Sequence, residues 1–112
     1  MRQATIYVAP DSQVIPDPIG ERLTIASVLR SNRFDGATIA ETYGMDGGII
    51  ERSYAVTIAN YGDDTETFPA RIHMASLTLR DVFRQECVLV TWTDVTSECS
   101  HDFDDGQKVV KA

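Results

Sequence analysis

Residues 37–60, Ala37-Thr-Ile-Ala-Glu-Thr-Tyr-Gly-Met-Asp-Gly-Gly-Ile-Ile-Glu-Arg-Ser-Tyr-Ala-Val-Thr-Ile-Ala-Asn60, decide the fold. After the Asp46-Gly47-Gly48 turn, Tyr54, Val56 and Ile58 alternate with Ser53, Ala55, Thr57 and Ala59. That period of two is the mark of a strand with one bulky face and one small, weakly polar face. Gly47 and Gly48 supply the positive φ angles that a tight connection needs. The stretch therefore reads as a hairpin of residues 37–43 and 49–60, with its bulky face turned towards helices.

Upstream, residues 3–9 alternate Ala4, Ile6 and Val8 against Thr5, Tyr7 and Ala9, which makes a first strand. Pro16 and Pro18 then interrupt any ladder, and Asp17-Pro18 pairs a good N-cap with proline at the first helical position. The helix that follows runs to about Asn32. Ile25, Val28 and Leu29 form its apolar stripe, Leu23 and Ala26 flank it, and Glu21, Arg22, Arg30 and Arg33 are expected towards solvent. Downstream of the hairpin, residues 62–67 form a turn into a second helix, with Pro69 in its first turn and Ile72, Ala75, Leu79, Val82 and Phe83 at helical spacing. A last strand, residues 87–95, sets Val88, Val90 and Trp92 against Leu89, Thr91 and Thr93 and is expected in the centre of the sheet. The order is βαββαβ. This is the α+β, ferredoxin-like arrangement, a four-stranded antiparallel sheet with two helices on one face.

The chain has 112 residues, 43% of them hydrophobic, enough for one domain, placed here at residues 1–96. Residues 97–112 hold Asp102, Asp104 and Asp105 around Phe103, with little else to bury, and read as an acidic tail that is mobile when unbound. The net charge of -7 opposes a nucleic-acid partner, whose affinity comes from Lys and Arg displacing counterions, and favours a protein with a basic surface. The N-terminal residues enter a strand pattern with no apolar leader and no membrane span, so a cytoplasmic place is expected. Cys87 and Cys99 do not form a CxxC pair and are expected as free thiols, with Cys87 a small buried hydrophobe beside Val88-Leu89-Val90.

Thr5-Ile6-Tyr7-Val8 with Ile15-Pro16, residues 44–48 leading to Glu51-Arg52-Ser53-Tyr54-Ala55-Val56, and Arg84-Gln85-Glu86-Cys87-Val88-Leu89-Val90 carry a family resemblance. Over some three-quarters of its length the chain resembles small ferredoxin-like proteins of bacterial phages, plasmids and archaeal mobile elements. The resemblance implies a mobile-element setting, in which small acidic proteins inhibit host defence machinery such as CRISPR surveillance complexes. It brings no catalytic residue set.

The residues themselves offer few catalytic signs. Glu41 and Glu51, one on each hairpin strand, are a candidate acid and base, though an arginine partner for each, Arg52 first, is the simpler expectation. His73 and His101 lack metal-binding spacing, and no Gly-rich phosphate loop precedes a helix. No cofactor or metal is expected. The sharpest binding candidates are the carboxylates Asp63, Asp64 and Glu66 in one loop with Asp102, Asp104 and Asp105 in the tail, spaced to imitate a phosphate backbone before a basic groove. Tyr7, Thr57 and Leu89 mark the sheet face left open, which suits a protein partner or a homodimer. The expectation is thus a non-enzymatic, acidic inhibitor that binds a host protein. The alternative is a homodimeric structural or small-ligand-sensing module.

Overall fold

The computed structural model describes residues 2–11, 15–34, 36–60 and 66–94. Its elements follow the expected order: β1 (Arg2–Val8), α1 (Pro18–Ser31), β2 (Thr38–Asp46), β3 (Ile49–Ala59), α2 (Thr67–Val82) and β4 (Leu89–Asp94). The hairpin is tighter than the sequence indicates. β2 and β3 pair without a break from Thr38 opposite Thr57 to Asp46 opposite Ile49, so Gly47 and Gly48 alone connect them, with φ of 58° and 83°. Both angles lie in the left-handed region, as a two-residue turn matched to the twist of its strands requires.

β1 pairs antiparallel with both β3 and β4, which gives the sheet order β2-β3-β1-β4. The last strand is therefore at an edge and not central: the centre goes to β1 and β3, because each helix crosses over the strand between the two it connects. Cys87 is exposed and precedes β4, so it is not a core residue. The alternation holds elsewhere. Ala4, Ile6 and Val8 of β1, Tyr54, Val56 and Ile58 of β3, Ile25, Val28 and Leu29 of α1, and Phe68, Ile72, Ala75 and Leu79 of α2 form one buried cluster. Val82 leaves the expected stripe and is 49% exposed, whereas Phe83 is buried. Phe68 meets Phe34 and Trp92 edge to face at 5.9 and 6.1 Å, tying the start of α2 to the end of α1 and to the β4 edge.

The helix ends explain how the chain turns. Asp17 caps α1 by accepting from the Gly20 N–H at 3.1 Å, and a Cβ on residue 20 would collide with that carboxylate, so the cap and the glycine require each other. Both helices close in the same way. Phe34 N–H donates to Leu29 O at 2.9 Å and Arg33 N–H to Arg30 O at 3.0 Å; after α2, Gln85 N–H donates to Arg80 O at 2.9 Å and Arg84 N–H to Asp81 O at 3.3 Å. This is the Schellman pattern, which needs a left-handed residue just past the helix and usually takes glycine. Here arginine occupies it twice, Arg33 at φ 65° and Arg84 at φ 57°.

Three stability changes follow, each read by chemical denaturation. Ile6→Ala removes a fully buried side chain from the sheet centre and should cost about 3 kcal/mol. Leu23→Ala, at a side chain 63% exposed, should stay within about 0.5 kcal/mol of the parent. Arg33→Gly should raise stability by about 1 kcal/mol by relieving the left-handed strain; a loss instead would show that the Arg33 side chain holds the turn.

Candidate functional site

The helical period places Glu21 one turn before Ile25, on the stripe of α1 that faces the sheet, and the β3 alternation points Arg52 and Tyr54 at the same spot. Glu21 is thus not directed to solvent. Its side chain is only 11% exposed and accepts from Arg52 Nη2 at 2.6 Å on Oε1 and 2.9 Å on Oε2, and from the Tyr54 hydroxyl at 2.7 Å. The Asp17 N–H adds a fourth contact at 3.2 Å. Glu41, on the β2 position opposite Tyr54, lies 3.6 Å from Arg52 Nε and 3.7 Å from Arg22 Nη1. Two glutamates and two arginines therefore alternate in space around one phenol.

Tyr54 is fully buried, and burial pushes its hydroxyl up to about 12, helped by its hydrogen bond to Glu21 and by that carboxylate's charge. It stays a donor through the neutral range. With Arg52, it fixes the Glu21 carboxylate and leaves no lone pair of Oε1 idle.

Glu21 also lines a cleft of about 370 Å³, enclosed by Pro10 and Asp11 after β1, by Ile15, Asp17, Gly20 and Thr24 at the start of α1, and by Val82, Phe83 and Arg84 at the end of α2. The carboxylates of Asp11, Asp17 and Glu21 are among the lining groups. Among the described residues, the one basic residue lining it is Arg84, the strained arginine, which reaches Asp11 at 3.8 Å. A cleft of this size and polarity suits a small molecule carrying positive charge beside one anionic group.

The residues singled out in the sequence are distributed differently. Glu66 is exposed ahead of α2 and makes no side-chain cap. Asp63, Asp64, Asp102, Asp104 and Asp105 lie outside the described residues, as do Cys99 and His101. Tyr7 and Leu89 are register partners on the open sheet face, at 41% and 61% exposure, and Thr57 sits on the same face, its hydroxyl 3.1 Å from that of Thr5. The open face is thus assembled as expected. Glu41 and Glu51 do not form a pair: Glu41 shares the helix side with Tyr54, whereas Glu51, opposite Gly44, faces away. Among the described residues no group of His, Cys, Asp and Glu could hold a metal, and no helix is long and apolar enough to cross a membrane. The sequence reading missed Glu21 and Tyr54 as a pair. The spacing of Glu21 from Ile25 and the place of Tyr54 on the bulky face were the available signals.

No protein-family model and no curated protein matches this sequence. Among solved structures, the chain is similar to a phage SAM lyase in its apo state, with TM-score 0.65 and 24% identity over 88% of this chain and 90% of that one. It is similar also to phage SAM lyase in complex with S-methyl-5'-thioadenosine, with TM-score 0.63 and 21% identity over 89% and 90%. A DUF3240 family protein from Shewanella baltica follows at TM-score 0.51 and 10% identity over 88% and 93%. At these identities the likeness establishes the fold, which is ferredoxin-like. It also corrects one expectation. The absence of a catalytic signature was read as excluding an enzyme, and that exclusion fails, because structures alike over most of both chains are those of an enzyme.

The buried phenol sets an alkaline limit on stability. In the unfolded chain Tyr54 ionises near its ordinary value of 10.0, whereas the folded protein holds its proton to about 12. Between those values the unfolded state binds fewer protons, so stability should fall by about 1.4 kcal/mol per pH unit from this group, having been fully present below pH 10. Tyr54→Phe should remove that part of the decline and cost about 1 to 2 kcal/mol at neutral pH through the lost donor. Urea titrations of both proteins from neutral pH to pH 12 check it, and an unchanged alkaline slope in the variant would refute the assignment.

Proposed function

We propose that the chain is an enzyme acting on S-adenosylmethionine, binding it in the cleft between the start of α1 and the end of α2 and releasing S-methyl-5'-thioadenosine. The observation that carries this reading is the carboxylate-lined cleft, present in a fold like that of the phage SAM lyases. S-adenosylmethionine has a sulfonium and an ammonium, both cationic, and one carboxylate. Asp11, Asp17 and Glu21 offer the anionic wall for the two cations, and Arg84 offers the guanidinium for the carboxylate.

The chemistry asks little of the protein beyond positioning. Breaking the bond between sulfur and the γ-carbon of the methionyl part sends the bonding pair to sulfur, which leaves as a neutral thioether. The ligand's own carboxylate can displace it by closing a ring, with no water consumed and no proton added to the leaving group. Glu21, its oxygens held by Arg52 and Tyr54, is suited to fix charge and orientation and not to take up a proton. Arg84 stands in a left-handed backbone conformation in the turn that closes α2, which brings it to the rim of the cleft.

The test is incubation of the full chain with S-adenosylmethionine, with S-methyl-5'-thioadenosine followed by liquid chromatography and mass spectrometry. Product should form. Arg84→Gly should make the protein about 1 kcal/mol more stable while raising KM by about tenfold, because the strain and the carboxylate contact disappear together. Absence of both product and calorimetric binding would overturn the reading, and binding without turnover would reduce it to a ligand site.

A second reading, a host-protein partner seated on the open sheet face, is favoured by the adjacent exposure of Tyr7 and Leu89. It predicts capture of a host protein by the parent chain and not by Leu89→Arg.

A further inference from the structure

We infer that the hollow between the end of α1 and the start of β2 binds a small amphipathic carboxylate, with its apolar body on Leu29, Phe34 and Ile39 and its anionic group between Arg30 and Arg33. The hollow has a volume of about 490 Å³, in the range of small-molecule sites. Its floor is apolar and fixed. Ile39, opposite Val56 on the helix side of the edge strand β2, is only partly buried, and Leu29 and Phe34 are joined by the hydrogen bond that closes α1. Phe34 is held edge to face by Phe68 and is covered by Arg71, whose guanidinium lies 4.8 Å from the ring centre and donates to the Arg33 carbonyl at 3.2 Å. A floor held on several sides needs little ordering when a ligand arrives.

Charge selects an anion. Arg30 and Arg33 line the hollow, and among the described residues neither meets a carboxylate, whereas Arg22, Arg52, Arg80 and Arg84 each do. No described carboxylate lines the hollow, and Arg71 adds a third positive charge behind Phe34. The net charge of -7 does not cancel this field locally. The carboxylates of the cleft stand at the other end of α1, about 20 Å away at 1.5 Å per residue, and exposed charge is screened over about 8 Å at physiological ionic strength. A basic residue in the last turn suits the helix dipole, which accounts for Arg30 alone but not for an apolar floor beside two arginines. A carboxylate meets guanidinium groups in charge-assisted hydrogen bonds, and an apolar body covers the floor. The hollow shares no lining residue with the cleft, so this site does not depend on the activity proposed there.

Octanoate is the probe, titrated into the full chain and followed by nuclear magnetic resonance, with octanamide and octylamine as the neutral and cationic controls. Octanoate should shift the resonances of Leu29, Phe34 and Ile39 with one dissociation constant, octanamide should bind about tenfold more weakly, and octylamine should leave them in place. Arg30→Gln and Arg33→Gly should each raise the octanoate dissociation constant by about fivefold. Arg33→Gly separates lost charge from lost folding, because the same change should make the chain more stable. Asp35, next to Phe34 in sequence, lies outside the described residues, and Asp35→Asn should leave binding unchanged or tighter. No shift at these residues, equal binding of octanoate and octanamide, or binding weakened by Asp35→Asn and not by Arg30→Gln would overturn the inference. So would binding that appears only after residues 97–112 are removed, since the acidic tail would then be the occupant.

Discussion

The arrangement around the cleft depends on the carboxylate of Glu21. Here α1 is joined to the sheet by charge and hydrogen bonds, not by apolar packing, and the apolar stripe begins only a turn later at Ile25. Withdrawing a carboxylate and a guanidinium from water is costly, and the pair is tolerable because Glu21 is met by both contacts of Arg52, the Tyr54 hydroxyl and the Asp17 N–H. The consequence is geometric. Asp17 is at once the cap of α1 and a wall of the cleft, so whatever fixes Glu21 against β3 also fixes the cleft. A slip of β3 by one residue would turn Tyr54 and Arg52 to the open face and leave the Glu21 carboxylate, of these partners, only the Asp17 N–H. The hairpin turn and the ionic cluster therefore enforce one register from opposite ends.

How far the sequence could be read follows from the same geometry. The elements were legible because periods of two and 3.6 are consequences of backbone geometry, and Asp17-Pro18 and Gly47-Gly48 mark their ends chemically. Sheet order was less so. Alternation says which side chains share a face but not which strand lies beside which, and β4 went to an edge on crossover grounds alone. Glu21 was misread because a carboxylate is ordinarily assigned to solvent, although its spacing from Ile25 put it on the inner stripe. Glu41 and Glu51 invited pairing because both belong to the hairpin, yet a two-residue turn between 46 and 49 places them on opposite faces. The acidic clusters at 63–66 and 102–105 were conspicuous in composition, but all except Glu66 fall outside the described residues.

Strain separates the two helix ends that chemistry would otherwise make alike. Arg33 and Arg84 occupy equivalent positions in equivalent turns, and glycine would be easier at both. Arg33 lies past α1, at the end of the molecule away from Glu21, whereas Arg84 sits on the cleft and reaches Asp11. Equal strain with unequal surroundings means that strain alone does not identify a site. Its ion pair with Asp11 on the cleft gives Arg84 a reason to remain arginine that the geometry of the turn does not supply.

The lack of a catalytic motif agrees with the reaction proposed above for a sulfonium substrate. Motif searches find residues that must exchange protons or form covalent bonds, since those tasks fix residue types at fixed spacings. A thioether leaving group needs neither task. It departs neutral, taking the electrons of the broken bond, and the nucleophile can belong to the ligand. Under that proposal, what remains for the protein is a shaped cleft with charge in the right places, and charge can be supplied from Asp11, Asp17, Glu21 and Arg84 on three separate elements with no spacing in common. Such a site has no signature along the chain. It becomes visible only when the end of β1, the start of α1 and the end of α2 are brought to one corner of the fold.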